Sequence, residues 1–208
     1  MNQVAQLNKK DLFFASINGF VFGLLLPVVM RSFNVTTQPP YLITVLFFTI
    51  LAPLGIYFGY LLAKFIKPFF FQLTKFGATG AANFAIDIGI LALFVFIFFP
   101  SNIIIPSIYY ATFKVISFVL ATINSYIWNK YWTFQEKNTS TTLKEFGKFI
   151  LVSSIGLILN ASIATLLNSL HHLISLDIKT WAAISAMIAS VAVLTWNFIG
   201  YKFLVFKK

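Results

Sequence analysis

The chain has 208 residues, 59% of them hydrophobic and only 10% charged, with a mean hydropathy of +0.88. A soluble domain carries about 25% charged residues because its outside faces water, so a water-soluble globule is excluded. Zero Cys removes disulfides, thiol catalysis, thiolate zinc sites and iron–sulfur clusters, and the net +10 forms no basic block that would make a nucleic-acid arm.

A helix needs about 20 apolar residues to cross a hydrocarbon core of about 30 Å. Six stretches meet that length: Leu12–Ser32, Tyr41–Phe65, Phe76–Phe99, Ile105–Trp128, Phe149–Leu170 and Trp181–Tyr201. The expected fold class is therefore an all-α integral membrane protein with six transmembrane helices. Aromatic residues are 18%, dominated by 26 Phe, which suits contact with lipid tails. The longest stretch outside the spans, Asn129–Lys148, is too short to fold as a soluble domain. Any chemistry belongs inside the bundle or on a separate protein.

Lys9-Lys10 before the first span resemble the start of a signal peptide. No small-residue cleavage site follows, and the apolar run is longer than a usual signal core, so a retained helix is expected. Pro27 and Pro53 fall inside the first two spans, where Gly19/Gly23 and Gly55/Gly59 make small faces. Close packing with mild kinks is the preferred reading, ahead of gating. Ile66–Lys75 mixes Lys67, Pro68, Phe69, Phe70 and Phe71 and reads as an interfacial linker. It divides an N-terminal helix pair, 1–70, from a four-helix domain, 71–208. Twelve Lys lie on one side of the spans against Arg31 and Lys179 on the other, with Lys114 inside a span. That bias puts both termini in the cytoplasm, in a multi-pass protein of the cytoplasmic (inner) membrane.

The last four spans repeat. Lys75-Phe76 opens the third and Lys148-Phe149 the fifth, 73 positions later. The ending Ser125–Phe134 recurs as Asn197–Phe206 at an offset of 72. Two parallel two-helix repeats are expected, about 75–134 and 148–206, and transport folds often place a substrate path between repeats. The repeat ends carry Asn129, Lys130, Trp132, Asn197 and Lys202. A plain anchor would hold Trp128, Tyr131, Trp132, Tyr201 and Phe203 at headgroup depth; the sharper reading is a phosphate cradle built around Lys130 and Lys202.

Two charges lie deeper. Asp87 is about 16 Å beyond Phe76, and Lys114 about 21 Å before Trp128, at 1.5 Å per residue. The difference is within reach of a Lys side chain. Thr79, Asn83 and Asp87 make one polar stripe, and Lys114, Ser117, Ala121 and Ser125 a facing one. Asn83 is expected as a further hydrogen-bond partner of the pair. A structural ion pair is the bland reading, while intramembrane charge favours function. The second unit has Asn160 and Ala186 at the matching positions, which suits one off-centre pocket better than a symmetric pore.

Lys-Phe-Gly-Ala-Thr-Gly at 75–80, mid-helix Asp87, Asn-Lys-Tyr-Trp-Thr-Phe at 129–134 and the Asn197 … Lys202 … Phe206 ending together resemble the GtrA-like family from Lys75 to Lys208. Ser125 and Tyr201 depart from its pattern. The resemblance implies a flippase: a polyprenyl-phosphate-linked monosaccharide moved to the outer leaflet for cell-surface glycan assembly. The expected partners are that lipid-linked sugar and membrane lipids, with membrane glycosyltransferases and a second copy in a homo-oligomer as candidates. No cofactor is expected, and the candidate substrate-binding residues are Asn83, Asp87, Lys114, Asn129, Lys130, Trp132, Asn197 and Lys202. A glycosyltransferase accessory subunit and a proton-coupled exporter are the alternatives. An enzyme is not expected, since no nucleophile–base arrangement, metal cluster or glycine-rich phosphate loop is present. Gly77 and Gly80 are read as packing residues, and His171-His172 with Asp177 as a solvated loop rather than a metal site.

Overall fold

The computed structural model describes residues 6–32, 39–99, 105–137, 142–173 and 178–206. The helices are α1 (Lys9–Ser32), α2 (Tyr41–Phe65), α3 (Phe69–Phe98), α4 (Ser107–Trp128), α5 (Thr142–Ser169) and α6 (Ile178–Gly200). α4 runs on into a π-helical turn, Asn129–Thr133, and α6 into another, Tyr201–Val205; a 3₁₀ turn, Leu170–Leu173, follows α5. No strand occurs among the described residues. Six of these helical segments are long and apolar enough to cross a membrane.

In hydrocarbon the backbone must satisfy itself, which leaves the helix as the available form for such runs. Hydroxyls follow the same rule by bonding one turn back. Thr49 Oγ1 donates to the Val45 carbonyl at 2.7 Å, Thr74 to Phe70 at 2.7 Å and Thr195 to Val191 at 2.9 Å.

Two helix starts depart from the expected ones by more than one turn. α3 begins at Phe69 rather than Phe76, so most of the segment read as an interfacial linker is the opening turns of a helix. Pro68 immediately precedes it, where a missing N–H costs nothing. α5 begins at Thr142 rather than Phe149, because Thr142–Lys148 continues the helix despite its charges.

The chain forms two compact units, Met1–Gln135 and Glu136–Lys208. In the first, α1 packs on α2 and α3, and α3 packs on α4, so the N-terminal pair is part of one unit with the two helices that follow it. Its core gathers Ala15, Ile56, Ala63, Phe71 and Trp132. Gly19 and Gly23 hold α1 against α2 as expected: a Cβ on Gly23 would lie 2.9 Å from Val45 Cα, and one on Gly19 would collide with the Phe48 carbonyl oxygen. Gly59 instead receives Thr74 of α3. Gly55, Gly77 and Gly80 do not pack, since nothing lies within 4 Å of where their Cβ would be. Gly55 and Gly77 open onto a recess of about 400 Å³ that Asn18, Phe22 and Phe48 also line.

In the second unit α5 and α6 pair closely. Phe149 stacks on Tyr201 with ring centroids 4.2 Å apart, and Ser153 Oγ lies 2.6 Å from the Tyr201 hydroxyl. Trp196 Nε1 donates to the Val152 carbonyl at 3.1 Å, and Gly200 leaves room for the Val152 side chain.

Candidate functional site

Asp87 and Lys114 meet across α3 and α4. Lys114 Nζ lies 2.5 Å from Asp87 Oδ2, and Ser117 Oγ donates to Asp87 Oδ1 at 2.7 Å. Lys114 sits three residues before Ser117, so one face of α4 carries both donors. The pair is not sealed: the side chains are 42% and 22% exposed for Lys114 and Asp87. Asp87 is thus held by an ammonium and a hydroxyl, a charge-assisted arrangement.

Asn83 does not join that pair. Its Oδ1 accepts from Asn124 Nδ2 at 2.6 Å, making a separate amide–amide link one turn along the helices. Its own Nδ2 is buried without a partner, as is Thr79 Oγ1 a turn further on. Asn129 Nδ2 donates to the Ser125 carbonyl at 2.9 Å, while Asn129 Oδ1 and Thr133 Oγ1 are buried without partners. A line of polar groups therefore runs along the α3–α4 contact from Asp87 to the π-helical turn, with four atoms on it lacking a protein partner. Unmet buried acceptors and donors in a native fold call for a ligand, water or ion.

Lys130 and Trp132 are buried within the first unit rather than presented at its surface. Lys130 is fully buried, with Nζ donating to the Tyr126 hydroxyl at 3.3 Å. The five-residue turn carries both inward with Asn129 and Thr133, while Tyr131 stays 54% exposed. In the second unit Tyr201 likewise turns in, and Phe203 stays out. Lys202 is half-buried there, with Nζ 5.6 Å from the Phe198 ring centre, and Asn197 Oδ1 is buried without a partner beside Gly156. Lys130 and Lys202 thus belong to different units and different surroundings. Asp177 lies outside the described residues, and among those described no group of His, Cys, Asp or Glu could hold a metal.

The residues that sequence reading missed gather at the Lys-rich end of the first unit. Asp11 of α1 forms an ion pair with Lys75 of α3, and Trp132 Nε1 donates to the same carboxylate at 3.0 Å. The available signal was that Asp11 is the only acidic residue before Asp87.

Fold and site together define a polytopic helical membrane protein with a charged pair inside its spans. Residues 75–206 match the model of the GtrA/DPMS transmembrane domain, and the chain belongs to that family. Membership points to polyprenyl-linked sugar processes at a membrane. No curated protein and no solved structure matches the chain.

Proposed function

We propose that this protein flips a polyprenyl-phosphate-linked monosaccharide from the inner to the outer leaflet of the cytoplasmic membrane, where a separate glycosyltransferase uses it in cell-surface glycan modification. The observation that carries the reading is the Asp87–Lys114–Ser117 cluster, a partly open ion pair inside two spans of a family that works on polyprenyl-linked sugars. An unpaired charge at mid-membrane costs roughly 2.5–3.5 kcal/mol on insertion scales, so a pair left partly open favours use over scaffolding. Lys114 supplies a point charge for a passing phosphate, and Asp87, Asn83 and Asn124 supply acceptors and donors for sugar hydroxyls. The protein itself is not an enzyme in this reading, needs no cofactor, and has both termini in the cytoplasm.

Reconstitution into liposomes with a labelled polyprenyl-phosphate sugar, scored by its accessibility to an outside reagent, tests the proposal. Asp87→Asn should abolish flipping in a folded, inserted protein, because Asn160 shows an amide at the matching position of the second repeat. The double variant Asp87→Asn with Lys114→Ala copies that repeat. Full flipping by the double variant would leave the pair purely structural and favour an accessory-subunit role.

A further inference from the structure

Asp11 stands in the first turn of α1, and its carboxylate gathers three N–H donors. Oδ1 lies 2.5 Å from Lys75 Nζ and accepts from Trp132 Nε1 at 3.0 Å; Oδ2 accepts from the Asn8 backbone N–H at 3.0 Å. Water is nearly absent, with the Lys75 and Asp11 side chains 2% and 8% exposed. The Phe71 ring closes the far side, its centre 4.2 Å from the ammonium.

Helix capping accounts for part of this. Asn8 and Asp11 form a reciprocal cap, with Asn8 Oδ1 accepting from the Lys10 N–H at 3.1 Å. Capping needs neither an ammonium from α3 nor an indole from the turn after α4. Those two converge on one oxygen, and an ammonium beside a fixed N–H donor is a set that binds oxyanions. Both belong to the family-matched segment 75–206, whereas the carboxylate comes from a helix outside it. The second repeat has no such slot. Lys148, 73 positions after Lys75, is exposed and donates to the Leu204 carbonyl at 3.2 Å. Leu204 itself stands where Trp132 would be and has no side-chain donor. Lys9 and Lys10, both exposed beside Asp11, keep the surroundings positive despite the carboxylate and would draw anionic headgroups.

We propose that Lys75 and Trp132 form a binding site for a phosphate ester, and that Asp11 is its built-in competitor, occupying the phosphate's place until ligand displaces the first turn of α1. A phosphate monoester, as in dodecyl phosphate or a polyprenyl phosphate without its sugar, brings more charge and more acceptor oxygens than the carboxylate it replaces, which gives the exchange its direction. The inference draws on the lipid-linked sugar reading only for the source of the phosphate. Its test reads binding, so a failure of flipping leaves it standing.

The full chain in neutral maltoside micelles, labelled with [15N]tryptophan, is titrated with dodecyl phosphate. The Trp132 indole signal is assigned through Trp132→Phe. That signal should shift with dodecyl phosphate and stay fixed with added maltoside. A shift with inorganic phosphate as well would name free phosphate as a ligand; a shift with the dodecyl ester alone would name a lipid headgroup. Asp11→Asn keeps an acceptor but removes the charge, and should tighten dodecyl phosphate binding about fivefold, the factor a single charge commands at an anionic surface. Adding Lys75→Gln should cancel that gain. A Trp132 signal unmoved at saturating dodecyl phosphate in the unaltered chain overturns the proposal, and this arm stands even where Asp11→Asn does not fold. Folded Asp11→Asn protein that binds no tighter overturns it equally.

Discussion

Lys130 and Lys202 occupy matching positions in the sequence yet meet different surroundings. Lys130 is fully buried, and its ammonium donates to the Tyr126 hydroxyl. Lys202 is half-buried and its ammonium lies near two aromatic rings. Neutralising each should therefore separate two effects. Lys202→Gln should weaken binding of a polyprenyl phosphate by about fivefold, corresponding to about 1 kcal/mol, with unfolding unchanged. Lys130→Gln should lower the unfolding midpoint in micelles by leaving buried polar groups unmet. Reversed outcomes in binding and thermal scans would reassign the two residues. Ser117→Ala offers a finer probe of the deep pair. It removes one of Asp87's two side-chain donors without touching charge, so transport should fall several-fold, short of the loss from Asp87→Asn. The deep pair was legible in the sequence because helical rise alone brings Asp87 and Lys114 to similar depth. The Asp11–Trp132 bond was not, since its partners stand 121 positions apart and no polar stripe on α1 points Asp11 toward a neighbour.

At the scale of the helix, glycine faces predicted contact without saying which helix would use it. Gly19 and Gly55 both sit in small-xxx-small patterns, yet only Gly19 touches a neighbour's backbone. Gly19→Ala should cost about 1–3 kcal/mol through displaced packing between α1 and α2. Gly55→Ala should cost nothing, as its Cβ would project into the recess. Denaturant titration in micelles distinguishes the two, and an equal loss at both sites would contradict the packing described. The spans themselves were readable from apolar length, whereas their starts were not. Phe69–Thr74 has the same aromatic, apolar composition whether it lies at an interface or opens a helix, and only packing of α3 against α1 and α2 decides.

For the whole molecule, the distribution of Lys makes a testable statement about sidedness. Lys137, exposed at the start of the second compact unit, should be cytoplasmic. Lys137→Cys, on a chain with no other Cys, should resist an impermeant thiol reagent applied to intact cells and react once the membrane is opened. Labelling before opening would invert the topology. The paired π-helical turns carry a consequence of another kind. A π turn arises in a helix when one residue is inserted and the backbone absorbs it as an i→i+5 bond, as Phe134 N to the Asn129 carbonyl and Phe206 N to the Tyr201 carbonyl do at 2.9 and 2.8 Å. If the two hairpins descend from one ancestor, that insertion is older than the duplication, because both copies keep it at the same offset. Asp87 and Lys114, each confined to the first hairpin, then mark the later divergence of one copy from the other.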